Sequence, residues 1–492
     1  MRRSIPMCAL VVAAGLAACA AGVARGGATT EEQTHDQGRL TVYRLSVTPA
    51  PEPDPPLRHR LLPLRTEQRR GNAAPMYYRA MMASPAVSKS LREKHGEAYD
   101  EWYSSGTPLQ DLPLDKVREA AAAWDSVVAE LREASQRRDC EWDWQLEKIR
   151  GPELFAFVLT EIQESRELTR ALMLRVRLAL AEGRYDDALA ALRINYKMAR
   201  DVAAEPLLIC GLVGIAEAGI GNAAVVEWIG GPNSPNLYWA LAELPRPLID
   251  LREAVQFEMT GVLRAFPLLM DAETAVLSPD EWARQLAEGL AGMTMNEQEM
   301  RTPLRSLQLR LAGTGIALAT YGPAKARLAV SGMSAEQIDA MPVGQVIAID
   351  AAREYRRVAD EFEKWWYTPF RTAAEHQSSA ERTLSGGLTE GGYGRMLASL
   401  LIPGLQSART AQERLMWELG GLQTVEALRM HAAATGSLPA KLDEIEVVPV
   451  PINPATGAHY AYTLTDGVGV VELPFSDGFP SVARRYEITL AQ

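Results

Sequence analysis

The sequence predicts a mostly α-helical protein, a multi-helix body of antiparallel helical hairpins followed by a small C-terminal β appendage. Three observations carry that expectation. Apolar residues recur at i, i+3, i+4 and i+7 through most of residues 73–435, as in Trp124, Val127, Val128 and Leu131, which is the stripe of a helix with one buried face. Ala, Leu, Arg and Glu are used heavily while Phe numbers only 8 and His 6, a mix that favours helix over sheet. After Thr435 the pattern changes to Gly436, Pro439, Pro449, Pro451 and Pro454 with short alternating runs between them.

Residues 1–19 have the anatomy of a secretion signal. Arg2 and Arg3 supply the positive n-region, Ile5 to Leu16 a short apolar core, and small residues follow. The boundary Leu16-Ala17-Ala18-Cys19 resembles the bacterial lipobox, which implies cleavage before Cys19 and lipidation of that cysteine. Cleavage after Ala18-Cys19-Ala20, or further on at Ala24, is the competing outcome and would release a soluble protein.

Residues 20–72 carry Pro49, Pro51, Pro53, Pro55 and Pro56, so no stable helix can run through them. An extended tether or a surface-wrapping arm is expected, with one strand at Leu40–Leu45. Five arginines between Arg58 and Arg70 are expected to pair with the acidic body. The helical body is assigned to 73–435. Within it Tyr355, Val358, Phe362, Trp365 and Trp366 form a second apolar stripe that ends before Pro369, and aromatic stripes of this kind are core. Pro245-Arg246-Pro247 breaks the Leu237–Leu241 cluster and is expected to start a new helix at Pro247. The Gly-rich stretch from Ser385 to Gly392 reads as a loop. Strands are expected within 436–492 at Tyr460–Leu464, Val468–Leu473 and Arg485–Leu490.

Three resemblances follow from local motifs. Ala181-Glu182-Gly183-Arg184-Tyr185-Asp186-Asp187-Ala188-Leu189 resembles the turn of a tetratricopeptide repeat, which implies one helical hairpin with Gly183 at the turn. Ala427-Leu428-Arg429, Gly436-Ser437-Leu438-Pro439, Leu442-Asp443-Glu444, Asn453-Pro454-Ala455-Thr456-Gly457 and Tyr460-Ala461-Tyr462 resemble the soluble part of type II secretion pseudopilins. Most of the mature chain is similar to an uncharacterised family of exported helical proteins from planctomycete-type bacteria. That similarity rests on Gly71-Asn72-Ala73-Ala74-Pro75-Met76-Tyr77-Tyr78, Cys140-Glu141-Trp142, Pro235 to Leu241, Pro245-Arg246-Pro247-Leu248 and Lys364-Trp365-Trp366. It implies a helical body with a small β end and carries over no catalytic or binding residue.

The charge balance is 51 basic against 62 acidic residues, net −11, so the surface repels phosphate backbones and no nucleic-acid partner is expected. None of the six histidines pairs with another at i, i+3 or i, i+4, and no nucleophile elbow, P-loop or dinucleotide fingerprint is present, so no catalytic, cofactor or metal residues are assigned. Asp360, Glu361 and Glu363 beside Trp365 and Trp366 are the only handle for a glycan- or peptide-cleaving site, and the helical stripe turns most of those acids toward water. Cys140 and Cys210 are a candidate disulfide pair in an oxidising compartment, against the alternative of two buried thiols. The functional expectation is an exported, lipid-anchored scaffold of the cell envelope, without catalytic activity, that binds a protein partner through a groove between helices or through its β end. An exported hydrolase and an accessory factor of a secretion system are the alternatives.

Overall fold

In a computed structural model, residues 27–103, 107–148, 160–292, 303–376, 387–479 and 481–491 are described. Two units divide the chain. The larger takes 13–142, 158–251 and 408–492, and the smaller takes 143–157 and 252–407 together with 1–12. Cys19 and the rest of the signal lie outside the described residues.

The larger unit opens with two strands, β1 (Ala28–His35) and β2 (Gly38–Val47), joined as an antiparallel hairpin. A short strand β3 (Arg69–Asn72) leads into α1 (Ala74–His95), α2 (Glu97–Tyr103), α3 (Leu114–Ala123) and α4 (Asp125–Ser135), and β4 (Arg137–Asp139) pairs with β3 in parallel. Trp124, Val127, Val128 and Leu131 are all buried, as their spacing predicts, and Trp124 donates through Nε1 to the Tyr99 hydroxyl at 2.9 Å. The Gly71–Tyr78 and Cys140–Trp142 motifs meet here. Asn72 Nδ2 donates to the Glu141 carbonyl at 2.7 Å, and the Tyr77 ring stacks on Trp142 at 5.6 Å.

Next come α5 (Thr160–Ala181), α6 (Tyr185–Val202), α7 (Leu208–Ile229) and the short α8 (Tyr238–Ala242). The α5–α6 turn is the hairpin expected at Gly183, whose φ of +70° is a left-handed conformation that side chains resist. By length and mean hydropathy (1.7) α7 is apolar enough to cross a membrane, but 72% of that span is buried inside the unit. Close approach explains its glycines. A Cβ at Gly214 would stand 2.4 Å from the Ala199 carbonyl oxygen of α6.

The smaller unit contains α9 (Arg252–Ala265), α10 (Pro267–Met270), α11 (Pro279–Gly292), α12 (Pro303–Val330), α13 (Ala335–Asp339) and α14 (Val343–Glu363). Pro247 does not start a helix. The backbone N–H groups of Leu248 and Leu251 are taken by Met416 Sδ (3.2 Å) and Gln412 Oε1 (2.9 Å), which holds 244–251 in a bent, non-helical path until Arg252 begins α9. Tyr355, Val358 and Phe362 of α14 are buried, and Tyr355 donates to the Met259 carbonyl at 2.7 Å. The stripe then passes into a 3-10 turn, Lys364–Tyr367, where Trp366 is buried.

Last comes α15 (Gly387–Thr435), interrupted by the non-helical Gly392 (φ +64°), and the unit boundary falls within this helix. The loop expected from Ser385 to Gly392 is thus helix from Gly387, with a break at Gly392, and Ser385 and Gly386 lie outside the described residues. Strands β5 (Ala461–Thr465), β6 (Val468–Leu473) and β7 (Ser481–Leu490) follow at the places the alternation predicts. They make the small C-terminal β appendage that the sequence predicts, and the sheet continues beyond it. The sheet has five strands in the order β1-β2-β7-β6-β5, with β2 parallel to β7 from Gly38↔Ser481 to Val47↔Leu490.

Residues 28–47 thus pair into the sheet, in the segment 20–72 for which an extended tether or surface-wrapping arm with one strand at Leu40–Leu45 is expected; β2 contains that strand and β1 is added to it. Tyr43, Leu45 and Val47 are buried on one face, and Tyr43 stacks on its register partner Tyr486 at 5.1 Å. The C-terminal half of α15 packs on the sheet through Gly420 and Gly421. A Cβ at Gly420 would meet the Tyr460 hydroxyl at 2.2 Å, and one at Gly421 would meet Leu473 at 3.0 Å.

Candidate functional site

The larger unit holds an open groove of about 760 Å³ with the shape of a binding site. Three segments wall it. The first is the Pro-rich run after β2, residues 48–54 with Arg58 and His59. The second is the α5–α6 turn from Gly183 to Asp187, and the third is the loop Asn233–Asn236 between α7 and α8.

The Pro-rich wall is rigid because its carbonyls are captured. Proline removes donors at positions 49, 51 and 53, leaving the run rich in acceptors. Arg429 of α15 donates through Nε to the Thr48 carbonyl at 3.1 Å, and Asn236 Nδ2 donates to the Ala50 carbonyl at 3.3 Å. The Ala50 N–H returns a bond to the Arg429 carbonyl at 3.2 Å. The same guanidinium holds the opposite loop, donating to both the carbonyl and the hydroxyl of Ser234 at 2.8 Å. Its counter-ion is Glu426, one turn earlier, at 2.8 Å, and both side chains are fully buried. Burial pushes the Glu426 carboxyl up, while Arg429 and the Leu237 N–H pull it back. One buried ion pair thus ties two walls of the groove to α15.

The remaining wall, the α5–α6 turn, is set by local chemistry. Gly183 permits the turn, Tyr185 donates to the Pro232 carbonyl at 2.7 Å, and its ring meets Trp228 edge-on at 5.0 Å. Arg184 is engaged by Glu182 and Asp187. Four carboxylates line the groove, Glu52, Asp54, Asp186 and Asp187, against Arg58 and Arg184. His59 is buried, and desolvation, with Arg58 acting the same way, holds its imidazole below the usual range while Asp186 opposes.

Other buried titratable groups belong to the core. Glu217 of α7 is buried, and burial raises its carboxyl to about 8, with the Ser165 hydroxyl, the Arg166 charge and the Thr169 hydroxyl of α5 drawing it back. Arg177 pairs with Glu227 at 3.1 Å and donates to the Glu101 and Trp102 carbonyls, pinning α2. Tyr77 donates to Asp201 at 2.8 Å, and Lys197 pairs with the same carboxylate.

The cysteine and carboxylate candidates singled out in the sequence form no common site. Cys140 and Cys210 are not bridged to one another. Cys210 is buried in α7, while Cys140 is half-buried beside Asp201, where desolvation pushes its thiol up. Asp360 is exposed, Glu361 pairs with Lys364 at 2.6 Å, and Glu363 accepts from Gln256 and Tyr367 at 2.9 Å each. Trp365 stacks on His376 at 4.5 Å. Of the basic stretch, Arg60 pairs with Glu243 and Arg69 with Glu133. Among the described residues no group of three or more His, Cys, Asp or Glu side chains has the arrangement of a metal site.

The groove itself was not foreseen, because its walls are distant in sequence. Its one local signal is the Glu426–Arg429 pair, two charges set among Val425, Leu428 and Met430 where a stripe should be apolar. No family model, curated protein or solved structure matches this chain, so what it does is argued from its own residues.

Proposed function

We propose that this chain is an exported scaffold of the cell envelope that binds a protein partner in the groove and is held to a membrane by a lipid on Cys19. The observation that supports the reading is the groove's construction. Its walls are fixed by a fully buried ion pair and by backbone hydrogen bonds before any partner arrives, so binding orders little chain and costs little entropy. The lipid anchor rests on the Leu16–Cys19 motif alone. Cross-linking in cells, affinity purification of the tagged protein from envelope fractions and mass spectrometry of the mature N-terminus test both parts. One protein recovered in stoichiometric amount with an acylated Cys19 is the expected result. Catalytic turnover of a glycan or peptide by the purified chain, with no partner recovered, would replace the scaffold by the hydrolase reading.

A second reading has its own support. The C-terminal half of α15 lies against β5–β7 with a glycine pair at the contact, a helix-on-sheet arrangement in keeping with the pseudopilin-like motifs of this segment. On that reading the partner belongs to a secretion system, and a recovered partner set free of secretion components counts against it.

A further inference from the structure

We infer that the groove is built to take an extended, arginine- or lysine-bearing segment of the partner, a deepening that rests on the scaffold reading above. Charge comes first. Arg184 is already held by Glu182 and Asp187, whereas Asp54 and Asp186, exposed on two different walls, take part in no ion pair among the described residues. Two uncompensated carboxylates face the same space, and only Arg58 lines it with an unshared positive charge.

Hydrogen-bonding capacity points the same way. The Pro-rich wall lacks N–H groups at Pro49, Pro51 and Pro53, so it has few donors to give an acidic segment, and its Thr48 and Ala50 carbonyls are already taken by Arg429 and Asn236. A guanidinium or an ammonium needs no donor from the wall, since it carries only donors of its own, which the Asp54 and Asp186 carboxylates can accept. The groove, about 760 Å³, has room for a few side chains, and the half-buried Tyr185 among its lining residues gives an aliphatic stem or guanidinium plane an aromatic partner. The net charge of −11 attracts a basic segment from a distance, and the local carboxylates then fix where it lands.

The test is a fluorescence-anisotropy titration of the full mature chain with a labelled decapeptide of alternating Pro and Arg, and with its Pro-Glu counterpart. The Pro-Arg peptide is expected to bind, more weakly as salt rises, and the Pro-Glu peptide is not. D54N/D186N should weaken binding about tenfold, D54E/D186E should restore it, and E93Q/D443N, two exposed acids outside the groove, should change it less than about twofold. Both Asp54 and Asp186 are exposed, so the variants retain the fold, which the charge-preserving pair verifies. Equal loss in the groove and control variants would reduce the effect to bulk charge and overturn the inference, as would failure of the Pro-Arg peptide to bind. Failure of the scaffold reading is separable. If the cross-linked partner is recovered equally well with D54N/D186N, the scaffold stands and the groove inference falls, whereas recovery of no partner by the wild-type chain sinks the scaffold itself.

Discussion

Glu217 shows how much a single side chain can cost a fold. It sits fully buried on α7, facing the Ser165 and Thr169 hydroxyls but paired in no salt bridge among the described residues, and its proton is held to about pH 8, against an ordinary value of 4.5. For an acid raised in this way the folded state keeps a proton that the unfolded chain releases, so stability falls as pH rises between 4.5 and 8 and levels off above. The slope contributed by this one group is about 1.4 kcal/mol per pH unit in that window. Glu217→Gln should therefore be nearly neutral at pH 5 and clearly stabilising at pH 8, read from urea midpoints at the two values. A gain that is the same at both would show that the carboxyl is not protonated in the fold. Arg429 makes the opposite case. Arg429→Met strands the Glu426 carboxylate in the core and releases Thr48 and Ser234, and should cost about 3–5 kcal/mol by denaturant unfolding. The double change Glu426→Gln with Arg429→Met should recover a good part of that loss, because no buried charge then remains.

At the scale of elements, the tight seam is α6 against α7. A Cβ at Gly214 would lie 2.4 Å from a carbonyl oxygen and 2.9 Å from the Ala203 Cβ, so Gly214→Val must push the two helices apart. A loss of about 1–3 kcal/mol in unfolding free energy is expected. Wild-type stability in that variant would mean the helices slide freely. Elements are also where the sequence was most and least informative. β5 and β6 were legible because their alternation is bounded by Asp466-Gly467, both at positive φ, a two-residue hairpin turn. The stripes on α4 and α14 were legible because their partners' identity does not matter to the 3.6-residue period. β1 was not. Its residues, ATTEEQTH, are mostly exposed and carry no apolar alternation, so its strand character comes from pairing with β2. The start of α9 was misjudged because Pro247 favours a helix locally, while Gln412 and Met416, more than 160 positions away, take the N–H groups of Leu251 and Leu248 and keep the backbone out of a helix.

On the scale of the whole molecule, the five-stranded sheet joins segments that sequence reading kept apart. Deleting residues 28–47 removes β1 and β2, opens one edge of β7 and uncovers Tyr486. Such a chain should self-associate, and light scattering after size exclusion would detect it as material heavier than the intact protein. A monodisperse deletion variant would mean that β5–β7 with α15 suffice. The groove was illegible for a related reason. Its three walls, at 48–59, 183–187 and 233–236, share no local pattern, and only the buried Glu426–Arg429 pair fixes two of them to a common helix.

The parallel pairing of β2 with β7 also sets an order of events in time. Arg44 of β2 reaches Glu487 of β7 across 443 positions, so a chain made from its N-terminus carries β2 paired with β1 alone until β7 has emerged. The sheet then closes like a clasp, with the Pro-rich wall of the groove hanging directly from the strand that has been waiting. A product cut short before Ser481 cannot close it and leaves the strand that carries this wall with one open edge.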